Sequence, residues 1–151
     1  MIEATDLRAW GKGWSLLPTP DTFEVAHRKL RDALVHESLS RVSSITGSFT
    51  HGVAAKLINC YLKPIYACGM LPTNPDSLNK LNALHPPIDR LLLDGLAQSS
   101  TGATAAAWRK WRDKGWSKYN SDQYEAVIAA IRAKINGRPL WEIEEFWVGY
   151  Q

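Results

Sequence analysis

The apolar residues between Ser121 and Ile135 recur with the period of a helix, and nearly every other punctuated stretch of the chain does the same. Tyr124, Val127, Ile128, Ile131 and Ile135 fall on one stripe, and Gly137 follows as a stop. No run alternates apolar and polar residues for long enough to make a strand, so a sheet has nothing to be built from. The expected fold class is therefore all-α, with about seven helices in one compact domain. A length of 151 residues with 45% hydrophobic content suits one core better than two. There is no internal repeat and no low-complexity tail, which argues against a solenoid.

Punctuation places the other elements. Asp6 to Trp10 makes an N-terminal turn, and Thr19, Pro20 and Asp21 start a helix that runs to Val42. Phe23, His27, Leu30 and Leu34 share a face of that helix, which makes His27 a satisfied core histidine. Ser43 to Ser48 is a turn into THGVAAKLINCYLKP, a helix that ends at Gly69 after a kink at Pro64. A Pro- and Asn-rich loop from Met70 holds one turn of helix at Ser77 to Leu81. HPPIDRLLLDGL then starts a short helix with Pro87 in the first helical position. Ala97 to Ala107 reads as a flexible connector, with Ser99 to Thr101 offering an N-cap. A last helix begins at Pro139, with Leu140, Ile143 and Trp147 inward and Glu142, Glu144 and Glu145 mostly outward.

The opening MIEATDLRAW carries acids and no apolar core of a signal peptide, and no window is long and apolar enough to span a membrane. Cys60 and Cys68 fall on one helix, about 12 Å apart along its axis, beyond disulfide reach. Their spacing gives no zinc site, nothing else suggests a metal or cofactor, and free thiols with no export signal point to the cytoplasm. The net charge of +3 permits nucleic-acid binding without requiring it.

Two helices carry the candidate chemistry. Projection of THGVAAKLINCYLKP gives a polar strip of Gly52, Lys56, Asn59 and Lys63, opposite Val53, Leu57, Ile58, Tyr61 and Ile65. On HPPIDRLLLDGL, Asp89 falls inside the apolar arc of Ile88, Leu92, Leu93 and Leu96, while Arg90 and Asp94 pair on the wet side. An inward carboxylate near a helix start has two uses. It can take up free backbone N–H groups, worth about 0.3–1 kcal/mol, or serve as an electrostatic stabiliser or general base.

Gly52-Val53-x-x-Lys56-x-x-Asn59, followed by Pro87-Ile88-Asp89, resembles the signature of the helix-hairpin-helix DNA glycosylases, the superfamily of endonuclease III and the 8-oxoguanine glycosylases. In that family a Gly-Val-Gly hairpin precedes a helix bearing the catalytic lysine, and a later Val-Asp at a helix start supplies the essential aspartate. The resemblance spans Phe49 to Leu96. It implies an all-α fold, Lys56 as the amine that attacks the sugar carbon, and Asp89 as the carboxylate that stabilises the oxocarbenium-like centre and assists proton transfer. Such chemistry needs a neutral amine and a pocket for an extruded base. His51 and His85 bracket the site in sequence, and Trp10, Trp14, Tyr61 and Tyr66 are candidates for the lining.

WRKWRDKGWSKY, from Trp108 to Tyr119, is the most basic stretch of the chain. It sets Arg109, Lys110, Arg112, Lys114 and Lys118 against the single acid Asp113, with Trp111, Trp116 and Tyr119 interleaved. Basic residues capture phosphates and exposed rings stack on unpaired bases, so Arg109, Lys110, Arg112, Lys114, Trp116 and Lys118 form a candidate DNA surface. A different class of function fits the same stretch: a non-catalytic helical module that binds nucleic acid or a protein partner. If Trp108 and Trp111 instead anchor the helix to the core, the basic residues form only a solvated face.

Overall fold

A computed structural model describes residues 6–41 and 49–147, without the side chains of residues 40 and 41. The expected turn at Ser43 to Ser48 lies outside the described residues. Within them the chain is all-α, with seven α-helices: α1 (Leu7–Trp10), α2 (Pro20–Arg41), α3 (His51–Lys63), α4 (Pro75–Ala83), α5 (Arg90–Gln98), α6 (Gly102–Lys114) and α7 (Ser121–Ile135). Short 3-10 segments, Trp14–Leu16, Trp116–Lys118 and Leu140–Phe146, fill the connections.

Several boundaries differ from expectation for local reasons. Pro64 lacks an N–H, so α3 gives way to the π-helical turn Pro64–Gly69, closed by a bond from Met70 N–H to the Ile65 carbonyl. The single turn expected at Ser77 grows into α4, because Asn74 and Ser77 form a reciprocal capping box behind Pro75. Pro87 does not open α5. The Asp89 side chain accepts the Leu92 N–H at 3.0 Å, which makes Asp89 the N-cap and leaves the buried residues 85–88 outside the helix. The supposed flexible connector Ala97 to Ala107 is mostly helix, since alanine forms helix better than any other residue; only Ser99 to Thr101 separate α5 from α6. Asn136, left-handed at φ 50°, and Gly137, at φ 85°, end α7. The last segment tightens into a 3-10 turn that buries Leu140 and Ile143.

Apolar side chains collect in two clusters. One joins α5, α6, α7 and the last 3-10 segment around Leu92, Leu96, Trp108, Val127 and Ile143. The other joins α1, α2 and the later turns of α3 around Leu7, Phe23, Leu34, Ile58 and Leu62. Helix α3 belongs to both, with Ala55 in the first cluster and Ala54 in the second. It is therefore a central helix, and the expectation of a solvated polar strip on it is corrected: Gly52 and Asn59 are buried.

Polar groups are buried beside it and bond in a chain. His27 Nε2 meets Asn59 Oδ1 at 3.0 Å, Asn59 Nδ2 donates to Tyr124 Oη at 3.0 Å, Tyr124 Oη meets His85 Nδ1 at 3.0 Å, and His85 Nε2 meets Glu24 Oε1 at 2.9 Å. One consistent assignment runs through it. Both histidines are neutral with the proton on Nε2, and the Tyr124 hydroxyl donates to His85. His27 is thus a core histidine, but only half satisfied, because its Nδ1 has no partner.

Burial lowers the pKa of His27 and of His85. Both stay neutral when folded, whereas the unfolded chain takes up protons below about pH 6.5. Stability is expected to fall with pH from that value downward, by at most about 1.4 kcal/mol per pH unit for each histidine. Urea unfolding between pH 7.5 and 5.5 checks this; a flat profile would show that the histidines are not buried neutral.

Candidate active site

The N-terminus of α3 is pinned from two sides. Thr50 Oγ1 accepts the Val53 N–H at 3.3 Å and donates to the Ser117 carbonyl at 2.7 Å, while Gly52 N–H donates to the Tyr119 carbonyl at 3.1 Å. Gly52 and Val53 lie in the first turn of α3. A Cβ on Gly52 would stand 1.9 Å from the Trp116 carbonyl oxygen, so only glycine lets the 116–119 segment lie this close. That approach carries the Trp116 ring toward Lys56, one turn further along α3 on the same face.

Lys56 Nζ donates to Asp89 Oδ2 at 3.1 Å. The other carboxylate oxygen, Oδ1, is the one that caps α5 at Leu92 N–H. One aspartate thus caps α5 and pairs with Lys56, with a different oxygen for each. The pair is largely shielded, with side-chain exposure of 24% for Lys56 and 17% for Asp89. It lies between surface pairs, worth about 0–1 kcal/mol, and buried pairs, whose rupture costs about 3–5 kcal/mol. Two indoles flank the ammonium group, Trp116 at 5.2 Å and Trp147 at 5.6 Å from ring centroid to Nζ. A nucleophilic amine must first lose a proton, and Asp89 Oδ2 is an acceptor already at hydrogen-bond distance.

Further along the same face, Lys63 pairs with Glu144. The expectation that Glu144 points outward is corrected. Its side chain is 17% exposed, and its Oε1 is buried with no partner. The last segment turns this residue toward α3 because Leu140 and Ile143 anchor it to the first apolar cluster.

The other candidates separate. Trp10 and Tyr66 are buried in the second apolar cluster, where the Tyr66 hydroxyl donates to the Trp10 carbonyl. Trp14 packs on Tyr66 at 4.5 Å, and Tyr61 lies against Gly11. These four rings belong to or pack against the second apolar cluster, and the rings over Lys56 are Trp116 and Trp147. His85 belongs to the buried polar chain, and His51 Nδ1 lies 3.6 Å from Asp32 Oδ1, with burial lowering its pKa. Sequence spacing places Trp147 inward, yet no local signal says that it meets Lys56.

On the basic stretch, Arg109, Lys110, Lys114 and Lys118 are exposed. Arg112 is instead held by Asp94 at 2.5 Å and Asp113 at 2.9 Å, so Asp94 bonds across to α6. Trp108 is buried, Trp111 packs on it edge to face at 5.1 Å, and the buried Tyr119 donates to the Trp111 carbonyl at 2.7 Å. Of the interleaved rings, Trp116 alone also reaches the lysine. Among the described residues no helix is long and apolar enough to cross a membrane, and Cys60 and Cys68 are exposed free thiols.

Compared with protein-family models, curated proteins and solved structures, the chain finds no match in any of the three.

Gly52→Ala tests the packing that builds the site. Overpacking against a backbone carbonyl is expected to cost about 1–3 kcal/mol, read as a lower urea midpoint with an unchanged slope. Wild-type stability in this variant would show that the 116–119 segment is free to move away.

Proposed function

We propose that the protein acts on DNA as a cytoplasmic base-excision glycosylase and lyase, with Lys56 as the Schiff-base nucleophile and Asp89 as its proton acceptor and electrostatic stabiliser. One observation carries this reading: the Lys56 amine and the Asp89 carboxylate, far apart in sequence, share a hydrogen bond of 3.1 Å in a partly desolvated setting. The motif likeness to helix-hairpin-helix glycosylases supports it through the same two residues. So do the indoles of Trp116 and Trp147, which limit water around the amine and offer faces to a base.

Lys56 Nζ gives a proton to Asp89 Oδ2 and bonds to sugar C1′, while the bond from C1′ to the base nitrogen breaks; the base leaves with that electron pair and takes the proton from Asp89, which restores the carboxylate. Once it has passed that proton on, the Asp89 carboxylate stabilises the positive charge that remains on the unit of C1′ and nitrogen. Opening of the sugar ring leaves an imine between C1′ and Lys56. An existing abasic aldehyde reaches the same imine by addition of the amine and loss of water.

The exposed Arg109, Lys110, Lys114 and Lys118 support binding to the phosphate backbone, and equally support the second reading, a non-catalytic nucleic-acid- or protein-binding module. Catalysis distinguishes them. With a duplex containing one abasic site, borohydride is expected to trap wild type and not Lys56→Ala; no wild-type adduct on abasic or damaged duplexes would refute the nucleophile. Asp89→Asn keeps an oxygen for the Leu92 N–H but removes the charge that pairs with Lys56, so stability is expected to fall by about 1–3 kcal/mol while trapping slows by about 100-fold or more.

The surface has its own test. An Arg109/Lys110/Lys114 triple alanine variant is expected to bind duplex DNA more weakly. Its dependence of log affinity on log salt should be shallower by about 0.9 for each phosphate that the variant no longer neutralises. Unchanged binding would remove that surface from both readings.

A further inference from the structure

Residues of α6 and α7 line an open groove of about 470 Å³, within the range of small-molecule sites and roomy enough for a nucleobase. Alanines at 103, 107, 130 and 133 open it, because their side chains stop at Cβ. Trp111 is the half-buried ring in its wall, and Trp108, also in the wall, is buried. Trp111 packs edge to face on Trp108 at 5.1 Å, and its carbonyl accepts from the Tyr119 hydroxyl at 2.7 Å. The ring is therefore held in place before any ligand arrives, which lowers the entropic cost of stacking on it.

No acid lines this groove, and three lysines surround it. Lys134 is in the wall itself. Two of its three N–H donors go to the Ser99 carbonyl at 3.0 Å and the Ser100 hydroxyl at 3.4 Å, and its ammonium lies 5.0 Å from the centroid of the Phe146 ring. None of these partners neutralises it, and Glu145, whose pKa it helps to lower, is held by Arg138. Lys110 and Lys114 follow Ala107 at i+3 and i+7, hence on the same face of α6. Both are exposed and make no ion pair among the described residues. The groove between α2 and α7 differs here, since Glu24 and Glu125 are in its walls and each is bonded to arginine.

An apolar slot with a fixed indole and unneutralised lysines at its rim matches a flat ring carried on an anionic chain. An acidic peptide would satisfy the lysines, but it offers a flat face only where its own sequence supplies one. Every nucleotide sets such a face beside a phosphate. We propose that the α6–α7 groove holds one unpaired base of a nucleic acid, stacked on Trp111, with Lys110, Lys114 and Lys134 on the phosphates that flank it. This rests on the reading that the protein binds DNA, and not on catalysis by Lys56.

The test compares two fluorescein-labelled duplexes by anisotropy at one salt concentration, one fully paired and one with a single bulged thymine. The two carry nearly the same charge, so the difference between them reports the base. Wild type is expected to bind the bulged duplex about tenfold more tightly. Ala133→Phe fills the groove from an exposed position, and Trp111→Leu removes the stacking face but keeps apolar bulk. Both are expected to bring the two affinities within about twofold of each other and to leave that for the paired duplex within about twofold of wild type. Ala129→Phe places the same ring on α7 outside the groove and is expected to keep the preference. Urea midpoints show that each variant is folded; should Trp111→Leu fail to fold, Ala133→Phe decides. Equal binding of both duplexes by wild type would overturn the proposal, as would a preference that survives in folded Ala133→Phe or vanishes in Ala129→Phe. If wild type binds neither duplex, the DNA reading itself fails and takes this one with it, and the groove is left to an acidic protein partner.

Discussion

The hydrogen bonds of Asn59 hold the arrangement together. Its amide is buried in the middle of the fold, with Oδ1 bonded to His27 of α2 and Nδ2 bonded to Tyr124 of α7 and, at 2.9 Å, to the Pro86 carbonyl. The last of these fixes the proline-rich stretch to α3 one turn beyond Lys56. Three residues later that stretch delivers Asp89 to the lysine. Each of these bonds is worth only about 1 kcal/mol net, but losing Asn59 would strand several buried partners at about 1–3 kcal/mol each. The geometry of the site is thus set from inside the fold, by an amide that never touches the amine.

Asp89 ties the start of α5 to the pairing of Lys56. Its Oδ1 tethers the start of α5, which restricts rotation of the carboxylate and aims Oδ2 at Lys56. A carboxylate held in this way needs little reorganisation when charge develops nearby, which is the main advantage of a preorganised site over water. The indoles of Trp116 and Trp147 flank the same ammonium group. Trp116 is held there by a glycine, Gly52, whose missing Cβ lets backbone meet backbone.

Most of the fold is legible in the sequence because helix periodicity is a local signal. The stripe of Tyr124, Val127, Ile128, Ile131 and Ile135 is buried as expected, and so are Phe23, Leu30 and Leu34. Context is what a local pattern lacks. Asn59 and Gly52 look solvated because projection assumes one wet face, whereas α3 is covered from both sides. The alanine-rich stretch before Trp108 looks like a linker because small residues give no hydrophobic stripe, although alanine favours helix. Asp89 stands out as an inward carboxylate. Trp147 and Glu144 cannot be tied to it from sequence, since their meeting with α3 depends on how the two apolar clusters close around the central helix.

The chemistry stands or falls on one nitrogen. The most direct measurement is proteolytic mapping, by mass spectrometry, of the adduct formed when borohydride reduces wild-type protein mixed with a duplex containing one abasic site. The expected result is a deoxyribose remnant on the peptide that carries Lys56. Adducts spread over the exposed lysines 110, 114 and 118, or no adduct at all, would contradict it.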